Sequence, residues 1–478
     1  RPHTWSDGKP VTSNDFVFAM RRILDPNFAA EYCELLYPIK NAVKVNKGEL
    51  PVTQLGVSAP DPQTLIIDLE NPAPYLPQLL THYTTFPLPQ HVVEKLKNDW
   101  IKPGNMVTNG PYKLLEWRPH DHITLVKNPK FYDAANVKID RVTYYPIEDD
   151  LAALKRYRAG EIDMQERWPL TEYKWLKENI PNEARSFTEL SVSYLTMNNT
   201  KKPFNDIRVR KAISMALDRK AVADEVFFGV YGAVADSFLP PGLDGVDHSA
   251  KAFYAAMPMD QRRAEAKRLL AEAGYGPDNP LKFSYNCFNY PDAKRFAVAL
   301  QAMMRQVGVT VELLPAEPKI HYDTLKTKNY EAAQAAWILD YADAKNILYL
   351  FQSTTVQQNY PNYNNPAFDD VMKRADAEPN GDVRAKLLGE ANAMLVADLP
   401  AAPIFFPYRR TLVKPYVLNF VENPRNVFRT RWMDIGDKPG PAGTASGPGG
   451  GAQASEGDFW SWLASWFDPE AWGKWWNS

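Results

Sequence analysis

The chain has 478 residues, 45% apolar and 23% charged, and its 55 basic and 57 acidic side chains leave a net charge of −2. That balance excludes a dedicated nucleic-acid binder, which needs a basic stripe to displace counterions from phosphates, and the apolar content excludes a disordered chain. No apolar run reaches the ~18–20 residues that span a bilayer. At ~150 residues per domain the length predicts three units or two large lobes. Two counts are high: 40 prolines, and 13 tryptophans of which six fall between Trp460 and Ser478. The chain opens at Arg1 with neither Met nor a basic and apolar leader, so a signal peptide is expected to have been removed or to lie upstream. Opening directly on a Trp5-Ser6-Asp7-Gly8 turn also leads us to expect that earlier strands are missing.

In chain order, Thr12 and Asp15 form a capping-box pattern ahead of Phe16, Met20, Ile23 and Leu24. They predict a helix over 12–25, stopped by Asp25-Pro26. Alternation around Pro60-Asp61-Pro62, with Leu65, Ile67 and Leu69 on one face, predicts strands over 55–71. Ile123 and Leu125 mark a hairpin over 112–127. Short helices follow over 150–159 and 171–179, then a stronger one over 206–219 capped by Asn205 or Asp206. Ala266, Leu269, Leu270 and Ala273 form a helical stripe over 261–274, with Gly274 suited to the left-handed position after the last turn and Pro277 beyond it. A helix over 292–307 shows Phe296, Leu300, Met303, Met304 and Val307 on one face. Gly308 ends it, and Val309, Val311 and Leu313 alternate as a strand, a helix-then-strand unit of an α/β lobe. The 330–338 segment reads as a strand, and 367–375 and 382–398 as helices. No short repeat is visible. From Gly436 the composition changes: residues 436–457 hold eight glycines and three prolines. This predicts a flexible linker with an r.m.s. reach of ~26 Å, followed by a Trp-rich tail over 458–478.

Chemistry-bearing patterns are sparse. Cys33 and Cys287 are too far apart and too few to form a zinc site or a disulfide framework, so two isolated thiols are expected, with one long-range disulfide as the alternative. His120-x-His122 would place two imidazoles on one strand face, a metal-compatible spacing. With no third ligand nearby, the pair reads as part of a solvated strand. His3, His82, His91, His248 and His321 are scattered. Glu148-Asp149-Asp150 lies at a helix start, where carboxylates cap and complement the dipole. No G-x-S-x-G elbow and no phosphate-cradling glycine motif occurs. No catalytic residue, metal or cofactor is therefore expected. One acid stands out. Asp340 follows the apolar 330–338 strand between Trp337 and Tyr341, where it would be largely desolvated and would need a cation. That cation is either an internal Arg or Lys or a ligand ammonium.

Several segments together resemble the periplasmic oligopeptide-binding proteins, the solute-binding class that feeds peptide ABC importers. They are Trp5-Ser-Asp-Gly-Lys-Pro-Val-Thr-Ser-Asn-Asp-Phe16, Val107-Thr-Asn-Gly-Pro-Tyr-Lys113 and Arg156-Tyr-Arg-Ala-Gly-Glu-Ile-Asp-Met164. Asn198-Asn199 with Pro203-Phe-Asn-Asp-Ile-Arg-Val-Arg-Lys-Ala212, Ala264-Glu-Ala-Lys-Arg-Leu-Leu-Ala-Glu-Ala-Gly274 and Leu412-Val-Lys-Pro415 complete the set. The likeness runs in order from residue 5 to about 435. It implies an α/β, two-lobed binding-protein fold with an extra subdomain, its N-terminal strands missing. Residues 1–88 would be the extra subdomain of lobe I, 89–190 lobe I, 191–406 lobe II and 407–437 the return to lobe I.

The resemblance also implies that Asp340 pairs with a peptide α-ammonium, flanked by Trp337 and Tyr341, and that Tyr32 and Asn286 line the ligand groove. Some members carry a disulfide at the positions of Ile338 and Ser191, which is absent here. A groove arginine is replaced by Gln334 and a glutamate by Thr196. The function implied is non-enzymatic capture of oligopeptides by hinge closure in the periplasm, or at the lipid side outside the cytoplasm, with delivery to an ABC permease of the inner membrane. A murein peptide, a dipeptide or a peptide antibiotic is the alternative ligand, and a hydrolase a more distant reading. The receptor is expected to be a monomer. The tail lies outside the resemblance. Phe459, Trp462, Leu463 and Trp466 fit one helical face, Pro469 can open a second helix, and Trp472, Trp475 and Trp476 continue it. Contact with a membrane surface through Trp462, Trp466, Trp472 and Trp476 is the expectation.

Overall fold

The computed structural model describes residues 3–30 and 32–438. The linker past Lys438 and the Trp-rich tail, including Trp462, Trp466, Trp472 and Trp476, lie outside the described residues. By proximity along the backbone the described chain forms two compact units. The first runs to Arg167 and resumes at Leu412; the second runs from Trp168 to Thr411.

In the first unit the Trp5 carbonyl accepts the Gly8 N–H at 2.8 Å, and Gly8 sits at φ +97°, a conformation that favours glycine. The buried Trp5 indole donates to Asp15 at 3.3 Å, and the same carboxylate accepts the Thr12 N–H at 2.8 Å. This capping starts the helix Ser13–Leu24 where the sequence places it. Val17, Met20 and Leu24 bury against Leu36, Ile39, Val45, Leu55 and Val57. Strands β1 (Val57–Asp61) and β2 (Thr64–Ile67) pair antiparallel, Val57 opposite Ile67. Strands β3 (Tyr112–Arg118) and β4 (His122–Lys127) form the expected hairpin, and β5 (Arg141–Tyr144) adds a third strand that its four residues gave no period to reveal. The turn between β3 and β4 corrects the reading of the histidine pair. His120 lies in that turn at φ +63°, so only His122 is on the strand, bonded to Glu116 at 3.2 Å and paired with Asp121 at 3.1 Å. Asp149 caps the helix Asp150–Arg158 by accepting the Ala152 N–H at 2.7 Å, the role expected of the acidic run. Strand β6 (Met164–Gln165) pairs with Leu412 and Val413.

The second unit is built on one mixed sheet. Its strands are β7 (Ala184–Thr188), β8 (Ser191–Met197), β9 (Gly232–Val234), β10 (Lys282–Phe288), β11 (Thr310–Ala316), β12 (Ala332–Ile338) and β13 (Ala401–Val413). The order is β11-β10-β12-β8-β13, with β7 and β9 also on β13. Strand β10 is parallel to both neighbours, and β8 is antiparallel to β12 and β13. Helix Pro291–Arg305, begun by Pro at its first position, links β10 to β11 and gives the expected α/β unit. Helix Met259–Glu272 is followed by Gly274 at φ +90°, the left-handed position assigned from sequence. The helix expected over 206–219 is shorter, Ile207–Ala216. Asp218 accepts the Ala221 N–H at 3.0 Å and caps a new short helix, Arg219–Ala221, which breaks the first. Leu190, Val192, Tyr194, Ala333, Ala335 and Leu339 on one sheet face bury against helices Pro366–Ala377 and Gly381–Asp398 through Phe368, Met372, Leu388 and Leu395.

The most specific motif residues serve this architecture. Asn198 donates to the Lys328 and Tyr330 carbonyls at 3.1 and 3.3 Å, and Asn199 to Met197 and Pro400 at 2.6 and 2.9 Å. The buried Arg210 donates to the carbonyls of Phe204, Leu399 and Asp398 at 2.8, 3.1 and 3.1 Å. A planar guanidinium suits this task, because it satisfies several main-chain acceptors at once.

Candidate functional site

Strand β12 leads to the acidic residue singled out from sequence. Its ladder with β8 ends at Ile338 opposite Ser191, and one further bond runs from Leu339 N–H to the Leu190 carbonyl at 2.9 Å. The chain then leaves the sheet at Asp340, turns through an Asp343 N–H to Tyr341 carbonyl bond of 2.9 Å, and enters the short helix Lys345–Leu348. This fold-back brings Asn346, which is fully buried, beside Asp340. The Asn346 amide oxygen accepts the Asp340 N–H at 2.8 Å and the Trp337 indole N–H at 3.1 Å. Its NH₂ donates to the Asp340 carboxylate at 3.0 Å. One amide therefore fixes the strand end, the indole and the carboxylate together.

Asp340 is half-buried rather than largely desolvated. Nearby, Arg384 forks onto Asp343 with two bonds of 2.9 Å, and Lys345 pairs with Asp376. The Asn346 amide orients the Asp340 carboxylate. Trp337 also stands edge-on to Tyr349 at 6.0 Å, and Tyr341 is buried. These residues share one corner. Asn286 does not reach it: it is half-buried on β10 opposite Ala333, four residues before Trp337 on β12, or ~13 Å along the strand. Tyr32 belongs to the first unit, with its ring 5.8 Å from His82.

Ile338 and Ser191 are cross-strand partners. Cys33 and Cys287 are both free and buried, and burial pushes the Cys287 thiol up to about 11. Gln334 and Ser193 line a small cavity with Phe227, Tyr231, Asp292, Phe296, Ile404 and Phe405. Arg410, itself buried, donates to Asp292 at 2.9 Å there, and the Gln334 side-chain oxygen is buried without a hydrogen-bond partner. Sequence reasoning missed Asn346, Asp292 and Arg410. The local signal for Asn346 was weak: a polar residue in a helical stretch, six positions from the acid it holds. Among the described residues no cluster of three or more His, Cys, Asp or Glu could hold a metal ion, and no helix is long and apolar enough to cross a membrane.

Comparison with known proteins bears on this site. The sequence model of "Bacterial extracellular solute-binding proteins, family 5 Middle" matches residues 1–359. The periplasmic oligopeptide-binding protein OppA of Salmonella typhimurium is 37% identical over 418 residues, covering 86% of this chain and 76% of that protein. The periplasmic murein peptide-binding protein MppA of Escherichia coli is 34% identical over 90% of this chain and 80% of its own length. Among solved structures, Haemophilus influenzae OppA in complex with RPPGFSPFR superimposes with a TM-score of 0.84 at 34% identity, covering 91% of this chain and 85% of that one. The α/β, two-lobed binding-protein fold is thereby established for this chain.

Proposed function

The chain belongs to the family-5 bacterial extracellular solute-binding proteins, and from that premise we propose that it is a non-enzymatic receptor that captures oligopeptides and hands them to an ABC permease. The observation that carries the reading is the Asp340 corner: a half-buried carboxylate oriented by a neutral amide at the end of a central strand. Such a group suits the one cation every peptide with a free N-terminus shares, its α-ammonium. A receptor for many sequences gains affinity from the ligand main chain and termini, and tolerates side chains in hydrated pockets. The ammonium would make a charge-assisted bond to Asp340, strengthened as enclosure excludes water. Closure about the ligand follows to the extent that the ligand binds the closed state better.

The same reading takes residues 1–88 as the extra subdomain, 89–190 and 407–437 as lobe I, and 191–406 as lobe II. Segments 168–190 and 407–411 group by proximity with the second unit. Trp337 and Tyr341 would flank the ligand terminus, and Tyr32 and Asn286 would meet its more distant parts. A periplasmic monomer with a membrane-touching tail completes the reading. Liposome co-sedimentation with and without residues 458–478 tests the last point, and equal partitioning removes it.

Calorimetry with a tripeptide tests the core of the reading. Asp340→Asn should weaken a peptide with a free amine by ~1.5–3 kcal/mol, as for a hydrogen bond to a charged group, and should not affect its N-acetylated form. Unchanged affinity for the free-amine peptide refutes the assignment. Incubation with a peptide mixture should leave every peptide intact by mass spectrometry, and cleavage would place the chain among hydrolases instead.

A further inference from the structure

Glu189 lies at the same end of the sheet as Asp340. It is the residue before Leu190, whose carbonyl takes the last ladder bond from Leu339, and Asp340 is the residue after Leu339. Its carboxyl lies near the hydroxyl of Ser191, the first residue of β8, which faces Ile338 across the strand pair. Glu189 is only 8% exposed, and its Oε1 is buried with no hydrogen-bond partner. A carboxylate taken from water and left half-satisfied is costly, because it loses hydration that nothing replaces. Burial accordingly raises its pKa above 4.5, opposed first by the Ser191 hydroxyl and then by the charge of Arg409. The neighbouring acid Asp343, by contrast, is fully engaged by a guanidinium fork. The two acids thus lie just beyond the paired ends of β8 and β12, one positioned by an amide and the other buried with an open acceptor.

We propose that Glu189 is a second cation-binding position beside Asp340, which selects peptides bearing a cationic side chain on their first residue. This rests on the reading of Asp340 as the α-ammonium acceptor. Adjacent strands lie ~4.8 Å apart, a gap that the four-carbon stem of a lysine anchored at Asp340 spans. Its ammonium would supply the donor that Oε1 lacks and would convert a buried, half-satisfied acid into a paired one.

Calorimetry with Lys-Ala-Ala and its norleucine analogue, equal in length and lacking only the side-chain ammonium, tests the proposal on the native protein. The lysine peptide should bind about tenfold more tightly or better, and the ratio should fall to within about twofold in Glu189→Gln, which keeps the shape and removes the charge. A native protein that does not distinguish the two peptides overturns the proposal without any variant, as does a preference that survives Glu189→Gln. Asp340→Asn separates this outcome from failure of the underlying reading: it should weaken both peptides together, and if it weakens neither, the α-ammonium assignment itself falls.

Discussion

Two acids three residues apart, Asp343 and Asp340, meet the cost of burying charge in opposite ways. Asp343 faces Arg384 in a fork of two 2.9 Å bonds, with side chains only 14% and 6% exposed, and also takes the Lys345 N–H at 2.9 Å. Its charge is matched inside the protein, and it ties the loop to helix Gly381–Asp398. Asp340 is held by the Asn346 amide, which fixes the direction of its carboxylate. The comparison separates two tasks that a sequence motif runs together: clipping the loop shut, and orienting a carboxylate at the end of the strand.

The largest effect that tests this contrast is Arg384→Ala. It leaves Asp343 buried without its cation and should cost ~3–5 kcal/mol of stability in urea unfolding. Asp340→Asn should cost less than about 1 kcal/mol in the same assay, since an amide can still accept from Asn346, and should show itself in peptide affinity instead. If the two substitutions destabilise alike, Asp340 is also a clip and the contrast collapses. Asn346→Ala sits between them. It strips partners from the Trp337 indole and the Asp340 N–H together and should cost ~1–3 kcal/mol. It should also weaken peptide binding although Asn346 itself need not touch the ligand. An affinity unchanged in this variant would mean that Asp340 needs no positioning.

The sequence was most legible where the signal is local. Thr12 and Asp15 marked the helix start correctly, and Gly274 marked an end, because a cap and a left-handed turn are decided within a few residues. The 206–219 helix was overextended because its apolar pattern continues past Asp218, which recaps the chain instead. The His120-x-His122 pair was placed on a strand because spacing alone does not show that the hairpin turns at His120. Strand β8, buried along all seven residues, has both faces covered and so carries no simple exposed-face alternation to read. Asp340 was legible as an acid beside an apolar strand. Asn346 was not, because its role exists only once the loop folds back. Tyr32 and Asn286 came from family resemblance alone; Asn286 sits opposite Ala333 on β10, and Tyr32 belongs to the first unit.

The last effect concerns a third buried group, His321, which carries the comparison to a side chain with no counter-charge. It is fully buried against Phe288, 4.3 Å between rings, with Nε2 2.8 Å from the Gln334 carbonyl and Nδ1 without a hydrogen bond. With Nε2 as the donor, the neutral ring is satisfied on one side, and a proton added at Nδ1 would sit in the core without a partner. Burial therefore lowers the His321 pKa below its usual 6.5, although the bond to Gln334 opposes this. The unfolded chain takes up its proton near pH 6.5, where the folded protein still excludes it. The stability this group gives is thus complete above 6.5 and declines as the pH falls from there toward the lowered folded value. The slope contributed is at most ~1.4 kcal/mol per pH unit. Removing the titrating ring in His321→Gln, whose amide can still donate to Gln334, should cost some stability at pH 7.5 through imperfect packing. It should also flatten the decline between pH 6.5 and 5 relative to the native protein. Urea unfolding at several pH values reads both quantities, and parallel curves for the two proteins would show that His321 does not set the acid limb.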